Sequence, residues 1–260
     1  MRRIAVLVKY VPDAGGDRQF TALNTTDRDL GEGLLSELDE YAVEQALLVV
    51  EALGEGHITY VTMGPESAAT ALKRALSMGG DDAIHVSDPA CAGSDAVATA
   101  VVLAKALASL NPDLILTGMA STDAGMSVVP VMIAELLGIP AATFASSLAV
   151  DGDTVTTRRD DDSSSTTMTS RLPTLVSVTD QTGEARYPSF KGIVAAKKKP
   201  VRVLSLSDLQ IEAGNVGLAG RRATITTVTK RPTRQAGITV VDDGEGAIKL
   251  AEFLVANKFI

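Results

Sequence analysis

The chain is poor in the residues that build most catalytic and metal centres. Of its 260 residues one is cysteine, two are histidine and none is tryptophan. The lone Cys91 excludes an intrachain disulfide and any cysteine-rich zinc or iron-sulfur site within the chain, and it suits a reducing compartment. No run of about eighteen apolar residues occurs, and the opening MRRIAVLVKYVPD turns polar too early for a signal peptide. The expectation is a soluble, cytoplasmic protein with no direct membrane insertion. The patterns H-E-x-x-H, G-x-S-x-G, G-x-x-x-x-G-K-[ST] and G-x-G-x-x-G are all missing. His57 and His85 fall at or inside expected strands, where a structural role is favoured over a catalytic one. The triple acid Asp160 to Asp162 lacks a third converging ligand and reads as a solvated turn rather than a metal site. A basic excess is lacking too: 24 Lys and Arg against 32 Asp and Glu give a net charge of -8, which argues against nucleic acid as the partner.

What is present is enough apolar material for a large core, 45% of residues with a mean hydropathy of +0.18. Apolar runs alternate with helical periods through the first two-thirds of the chain. Ile4 to Val8 reads as a strand, and YAVEQALLVVEAL as a helix, with Ala42, Val43, Ala46, Leu47 and Val50 on one face. His57 to Met63, Ala83 to Val86 and Leu114 to Thr117 read as further strands, and Glu66 to Met78, Asp95 to Leu110 and VVPVMIAELLG as helices. Ser94 is the expected cap of the third helix, and the fourth stops at Gly138 ahead of Pro140. This alternation predicts a doubly wound, mostly parallel α/β sheet.

After Pro140 the texture changes. Ser146 to Val155, Val155 to Asp160, Ser163 to Ser170 and Thr174 to Thr179 suggest strands without intervening helices, and so a short antiparallel extension of the sheet. From Pro200 to Asp243 there is little periodicity, with a basic patch at Lys230 to Arg234, and the segment reads as a linker or as an arm that orders on a partner. A terminal helix near Gly246 to Asn257 offers Ile248, Ala251, Phe253 and Leu254 for burial. The expected division is residues 1–200 as an α/β domain and 201–260 as a C-terminal arm with its helix.

In such sheets ligands sit beyond the carboxyl ends of the strands, near helix N-termini that favour anions. The loop after the first strand, TMGPES and GMASTDAGMS all qualify. The last is rich in small residues and leads straight into a helix, either as a nucleotide-phosphate turn or as an ordinary loop and cap. With no acid, base or nucleophile in view, the chain reads as one that binds, or that does redox work through a cofactor.

VLVKYVPD, LDEYAVEQAL, TMGPESAATALKRALSMGGDDAIHV, LILTG, AELLGIPAATFAS and RYPSFKGIVAAKKKP, in that order from about Met1 to Val201, resemble the beta subunit of electron transfer flavoprotein. The last sixty residues match only loosely. The resemblance implies that residues 1–200 form a Rossmann-like, adenine-nucleotide-binding domain with a partner recognition loop at 186–200. It implies a heterodimer with a larger alpha subunit, on which one FAD is mainly held and against which the 201–260 arm and its helix pack. It also implies a structural AMP in the beta chain, and electrons passing from acyl-CoA dehydrogenases of fatty acid oxidation and related dehydrogenases to a membrane quinone oxidoreductase. Such a chain is a carrier subunit and not itself an enzyme. The alternative is an electron-bifurcating complex that oxidises NADH, with a second FAD in place of AMP.

Carried over by position, the AMP site would comprise Leu7, Ser36, Glu37, Leu38, Asp39 and Met63, together with the loop Ser121, Thr122, Asp123, Ala124, Gly125, Met126, Ser127, Val128, Val129, Pro130, Val131 and Met132. Backbone at Leu7 and Met63 would meet the adenine edge, and Ser127 with the N–H groups of 127–129 would face the phosphate. Asp123 would have to turn toward a ribose hydroxyl or a backbone N–H. The sequence departs from the family at Val128, Val129 and Pro130, where Gln-Thr or Gln-Val and Gly are common, and at Ser36 and Glu37, where Asn-Pro is common. In RYPSFKGIVAAKKKP the resemblance makes Phe190 an anchor for a dehydrogenase pocket, at a position where many members carry Leu. Tyr187, Pro188 and Gly192 would shape the loop, and Lys191, Lys197, Lys198 and Lys199 would steer it toward acidic partners.

Overall fold

The computed structural model of the protein describes residues 1–16, 19–28, 31–233 and 236–260; Arg234, the end of the expected basic patch, lies outside the described residues. The chain opens with β1 (Arg3–Leu7), followed by a small hairpin of β2 (Tyr10–Pro12) and β3 (Gly33–Leu35), and then α1 (Glu37–Leu53). Next come β4 (His57–Met63), α2 (Ala69–Met78), β5 (Asp82–Val86) and α3 (Ala96–Leu110). They are followed by β6 (Leu114–Gly118), α4 (Val129–Leu137) and β7 (Ala141–Ala145). Three strands then run without a helix between them, β8 (Ser147–Asp151), β9 (Thr154–Asp161) and β10 (Ser164–Arg171). The chain returns through β11 (Thr174–Val178), α5 (Phe190–Ala196), β12 (Val201–Leu204), a short α6 (Gly217–Gly220) and a terminal α7 (Gly246–Ala256).

Among the described residues the main sheet has seven strands in the order β12-β5-β4-β1-β6-β11-β7, and every pairing in it is parallel. Its inner strands are buried on both faces, which are covered by helices. Along β1 the alternation is explicit: Ile4 and Val6 belong to the core shared with α1 and α2, whereas Ala5 and Leu7 belong to the core shared with α3 and α4. This is the doubly wound sheet the alternation predicts.

The antiparallel part exists as its own three-stranded sheet, β10-β9-β8. β11, expected from Thr174–Thr179 to share that antiparallel pairing, instead joins the main sheet in parallel between β6 and β7. Asp160 lies in β9, where its carboxylate meets Arg158 at 2.8 Å and Ser146 at 2.6 Å. Among the described residues no group of acidic, histidine or cysteine side chains could hold a metal. His57 lies against Asp82 at 3.1 Å and His85 against the Gly64 carbonyl at 3.1 Å, both as parts of strands.

The chain forms two compact units, Met1–Thr226 and Thr227–Ile260. Residues 201–226 belong with the sheet. β12 extends its edge beside β5, and Leu206, Leu209 and Val216 are buried in the core that contains α3. Asp95, and not the expected Ser94, caps α3, one oxygen accepting from Ala98 N–H at 2.9 Å and the other from the N–H groups of Arg222 and Ala223. The Ser94 hydroxyl accepts instead from Gly217 N–H at 2.8 Å. Gly217 sits at φ 63 so close to Ala90 that a Cβ would fall 2.1 Å from its carbonyl oxygen. In the second unit α7 has no buried residue; Ile248 and Phe253, candidates for burial, are exposed.

Candidate functional site

Sequence order runs outward from β1 through β4 and β5 to one side, then resumes at β6 on the other. The connections leaving β1 and β6 therefore diverge, and the crevice between them at the carboxyl ends of the strands is the place where open α/β sheets take ligands. Leu7 ends β1, Met63 ends β4 and Gly118 ends β6, with Ser121 to Val128 leading on into α4. The structure thus brings Leu7, Ser36 to Asp39 and the 121–132 loop to one end of the sheet.

The start of α1 is fastened to the residue after β1's neighbour Val8. Ser36 N–H donates to the Lys9 carbonyl at 2.9 Å, and Lys9 N–H donates to Asp39 Oδ2 at 2.8 Å. Gly118 is required for this approach, because a Cβ there would lie 2.5 Å from Asp39 Oδ1 and 2.7 Å from the Leu38 carbonyl oxygen. Burial pushes the Asp39 carboxyl up to about 7, although the Lys9 N–H and ammonium favour its charged form. Ser36 is completely covered, yet its hydroxyl caps nothing and has no hydrogen-bond partner among the described residues. A buried hydroxyl left unpaired costs roughly 1–3 kcal/mol, so this atom is suited to a polar group of a ligand.

In the loop, the Asp123 carboxylate is met by two cations. Lys9 Nζ donates to Asp123 Oδ1 at 2.7 Å and to Ser121 Oγ at 3.2 Å, while Arg28 Nη2 donates to Asp123 Oδ2. The Asp123 side chain is 0% exposed. Burial opposes its ionisation, but the Lys9 ammonium, with Arg28 behind it, holds it down to about 2. Burial also lowers the Lys9 ammonium, against the pull of Asp123.

Ser121 closes the loop on itself. Its carbonyl accepts from Gly125 N–H at 2.9 Å and its hydroxyl from Ala124 N–H at 3.3 Å. Gly125 and Ser127 both take left-handed backbone, φ 60 and φ 58, which turns the chain into α4. Pro130 occupies the first turn of α4, where a missing N–H costs nothing. Met126, Val128 and Val131 remain exposed. Lys9 and Arg28 are the site residues that sequence reasoning missed. Neither carries a local signal: Lys9 is a single cation just beyond the central strand, and Arg28 lies in an aperiodic connection.

The second candidate region, RYPSFKGIVAAKKKP, is a built element. Arg186 forks onto Glu44 at 2.8 Å and onto Glu51 at 2.6 Å, which holds the Glu51 carboxyl below its usual range through that hydrogen bond. Ser189 caps α5 by accepting from Gly192 N–H at 3.0 Å. Gly192 and Ala196 face α2, so closely that a Cβ on Gly192 would lie 2.4 Å from the Ser77 carbonyl oxygen. Tyr187 and Phe190 are 88% and 84% exposed, and Ile193 and Val194 are exposed beside Phe190. Lys191, Lys197 and Lys198 project into solvent. Lys199 does not join them: its Nζ donates to the Leu76 and Gly79 carbonyls at 2.8 and 3.0 Å, closing the C-terminus of α2.

Comparison with known proteins converges on a single family. The electron transfer flavoprotein domain matches residues 26–209. The electron transfer flavoprotein subunit beta of Mycobacterium tuberculosis is 41% identical over 266 residues, covering 100% of each chain. The subunit of that name from Mycobacterium leprae is 40% identical over 100% of each chain, and the one from Megasphaera elsdenii 32% identical over 99% of each.

Proposed function

The chain belongs to the electron transfer flavoprotein family as a beta-type subunit, and on that premise we propose that it pairs with an alpha subunit and acts in the cytoplasm as the docking and nucleotide-holding half of an electron carrier. In this role it performs no bond chemistry of its own. The FAD, held mainly by the alpha subunit, supplies the electron-accepting chemistry when bound.

The residues at the β1/β6 crevice fit a mononucleotide. The unpartnered Ser36 hydroxyl and the Asp39 carboxyl offer polar groups to a ribose or base, and the left-handed turn at Gly125 and Ser127 delivers chain to the N-terminus of α4, which suits a phosphate. AMP is the nucleotide that this arrangement and the family together favour, with Leu7, Met63 and the 121–132 loop around it.

The observation that carries the docking role is the exposure of Phe190. A large apolar side chain stands 84% exposed at the start of a helix whose base is fixed by the Arg186 fork and by Gly192 against α2. Exposed aromatic anchors on a rigid base mark interaction sites. We assign Phe190, with Tyr187 and the free Lys191, Lys197 and Lys198, to acyl-CoA and related dehydrogenases, and the outgoing electrons to a membrane quinone oxidoreductase. No described helix is long and apolar enough to cross a membrane, so delivery is by docking. The exposed apolar face of α7 is assigned to the alpha subunit.

The test is ligand stoichiometry. Acid extraction of the purified heterodimer should release equal amounts of FAD and AMP. Two equivalents of FAD without AMP would overturn the carrier reading in favour of a bifurcating complex that oxidises NADH.

A further inference from the structure

Asp123 poses a physical contradiction in a phosphate-binding loop, because a carboxylate there repels the dianion the loop is meant to hold. Its contacts resolve it. Lys9 ties together two segments, the start of α1 and the loop before α4. Its carbonyl accepts from Ser36 N–H, its N–H donates to Asp39, and its ammonium donates to Ser121 and Asp123. Arg28 holds the other oxygen of Asp123 from the long connection between β2 and β3. Two cations thus converge on one fully covered carboxylate, so its charge is more than matched where it stands.

We propose that Lys9 and Arg28 are positioning residues of the nucleotide site which act through Asp123, clamping the 121–128 turn so that the start of α4 faces the phosphate. Asp123 is then the fastening point of the loop, and its negative charge is cancelled where it stands. The proposal rests on the reading of the β1/β6 crevice as a nucleotide site, and it makes a counterintuitive claim: removing the carboxylate from beside a phosphate weakens binding.

The test uses the heterodimer with this chain as wild type, Lys9→Met, Lys9→Arg, Asp123→Asn, the Lys9→Met/Asp123→Asn pair and the milder Arg28→Gln. AMP is the titrated probe, and amide exchange at Ala124 and Gly125 is followed in the same samples. Lys9→Met and Asp123→Asn should each weaken AMP about tenfold, and the pair no more than the worse single change, as expected for groups acting as one unit. Lys9→Arg keeps the charge and should stay within about threefold of wild type, while Arg28→Gln should shift binding the same way by less. Both amides should exchange faster in every weakened variant. Unchanged FAD content marks the fold as intact, and if Lys9→Met does not assemble, Arg28→Gln carries both readouts.

An Asp123→Asn heterodimer that binds AMP as well as wild type, or more tightly, overturns the proposal, and losses that multiply in the pair make Lys9 a direct phosphate contact instead. A wild-type heterodimer that binds no AMP sinks the nucleotide reading alone. The exchange data still decide the clamp, and unchanged exchange at Ala124 and Gly125 refutes it.

Discussion

Asp39 sits where a carboxylate charge is costly. Its usual value near 3.8 is pushed up to about 7 by burial, with the Lys9 N–H and ammonium pulling the other way. Between those values the folded chain holds a proton that the unfolded chain has released, so the contribution of Asp39 to stability is highest below about pH 4 and falls as pH rises to about 7. Asp39→Asn should remove this slope while keeping an acceptor for Lys9 N–H. Denaturant unfolding at about pH 5 and pH 8 should show the variant gaining on wild type at the higher pH by on the order of 1–3 kcal/mol; parallel pH profiles would refute this. Ser127 lies at the other side of the crevice, in a left-handed turn just before α4. Ser127→Asp places a carboxylate with no cation of its own at that helix start, in contrast to Asp123, which has two. It should expel the nucleotide and lower heterodimer stability while leaving flavin reduction little changed, and a normal AMP content in the extract would take Ser127 out of the site. These residues were reachable from sequence only through the family resemblance. Lys9 and Arg28 were not, because an ion-pair clamp between segments more than ninety residues apart leaves no local pattern.

The element that most resisted reading was α5. Amphipathic helices are recognised by large apolar residues facing inward, and α5 inverts this: Gly192 and Ala196 face α2, while Phe190, Ile193 and Val194 face out. The inversion fits an element whose apolar side is meant for a partner. Phe190→Ala should leave FAD content and fold intact and slow flavin reduction by an acyl-CoA dehydrogenase by tenfold or more, since an apolar anchor typically carries more than about 2 kcal/mol. Phe190→Leu should largely restore the rate. Lys191→Ala and Lys198→Ala should give smaller losses that shrink as salt rises. Lys199→Met should behave differently, costing about 1 kcal/mol of stability through the lost α2 carbonyl contacts with no salt-dependent change in rate. Stopped-flow reduction at two ionic strengths separates these cases, and wild-type kinetics for Phe190→Ala would make Phe190 an ordinary surface residue. The strands were easier where helices alternate with them: β4 was legible end to end, and β1, β5 and β6 to within a residue. β11 was misjudged because hairpins rather than a helix separate it from β7, so the local order suggested antiparallel neighbours although the two pair in parallel.

For the molecule as a whole, the doubly wound sheet was readable because its inner strands are short, mostly apolar runs and helices fall between them, but the end of the sheet unit was not. Residues 201–226 carry little period, as they join the body through single buried side chains and backbone ties rather than through a long element. Leu206, Leu209 and Val216 are each 7% exposed or less, and the Asp95 carboxylate holds the backbone of Arg222 and Ala223. Sequence periodicity placed the boundary at 200, while the compact units divide after Thr226. Two truncations separate the alternatives. Ending the chain after Thr226 removes only α7 and its connection, which bury nothing in that unit's own helix, so the sheet unit should unfold cooperatively with a midpoint close to that of the full chain. Its affinity for the alpha subunit should fall if the apolar face of α7 is an alpha-subunit contact. Ending it after Leu204 also takes three core side chains, each worth about 1.5–3 kcal/mol on burial, and uncovers α3 and its capping Asp95. Against a total stability of roughly 5–15 kcal/mol, that loss is most of what a domain has. The shorter chain should be insoluble or lack a cooperative transition even when co-expressed with the alpha subunit. A stable sheet unit ending at Leu204 would show that the 205–226 segment is an arm after all, and that its buried leucines contribute little to holding the sheet together.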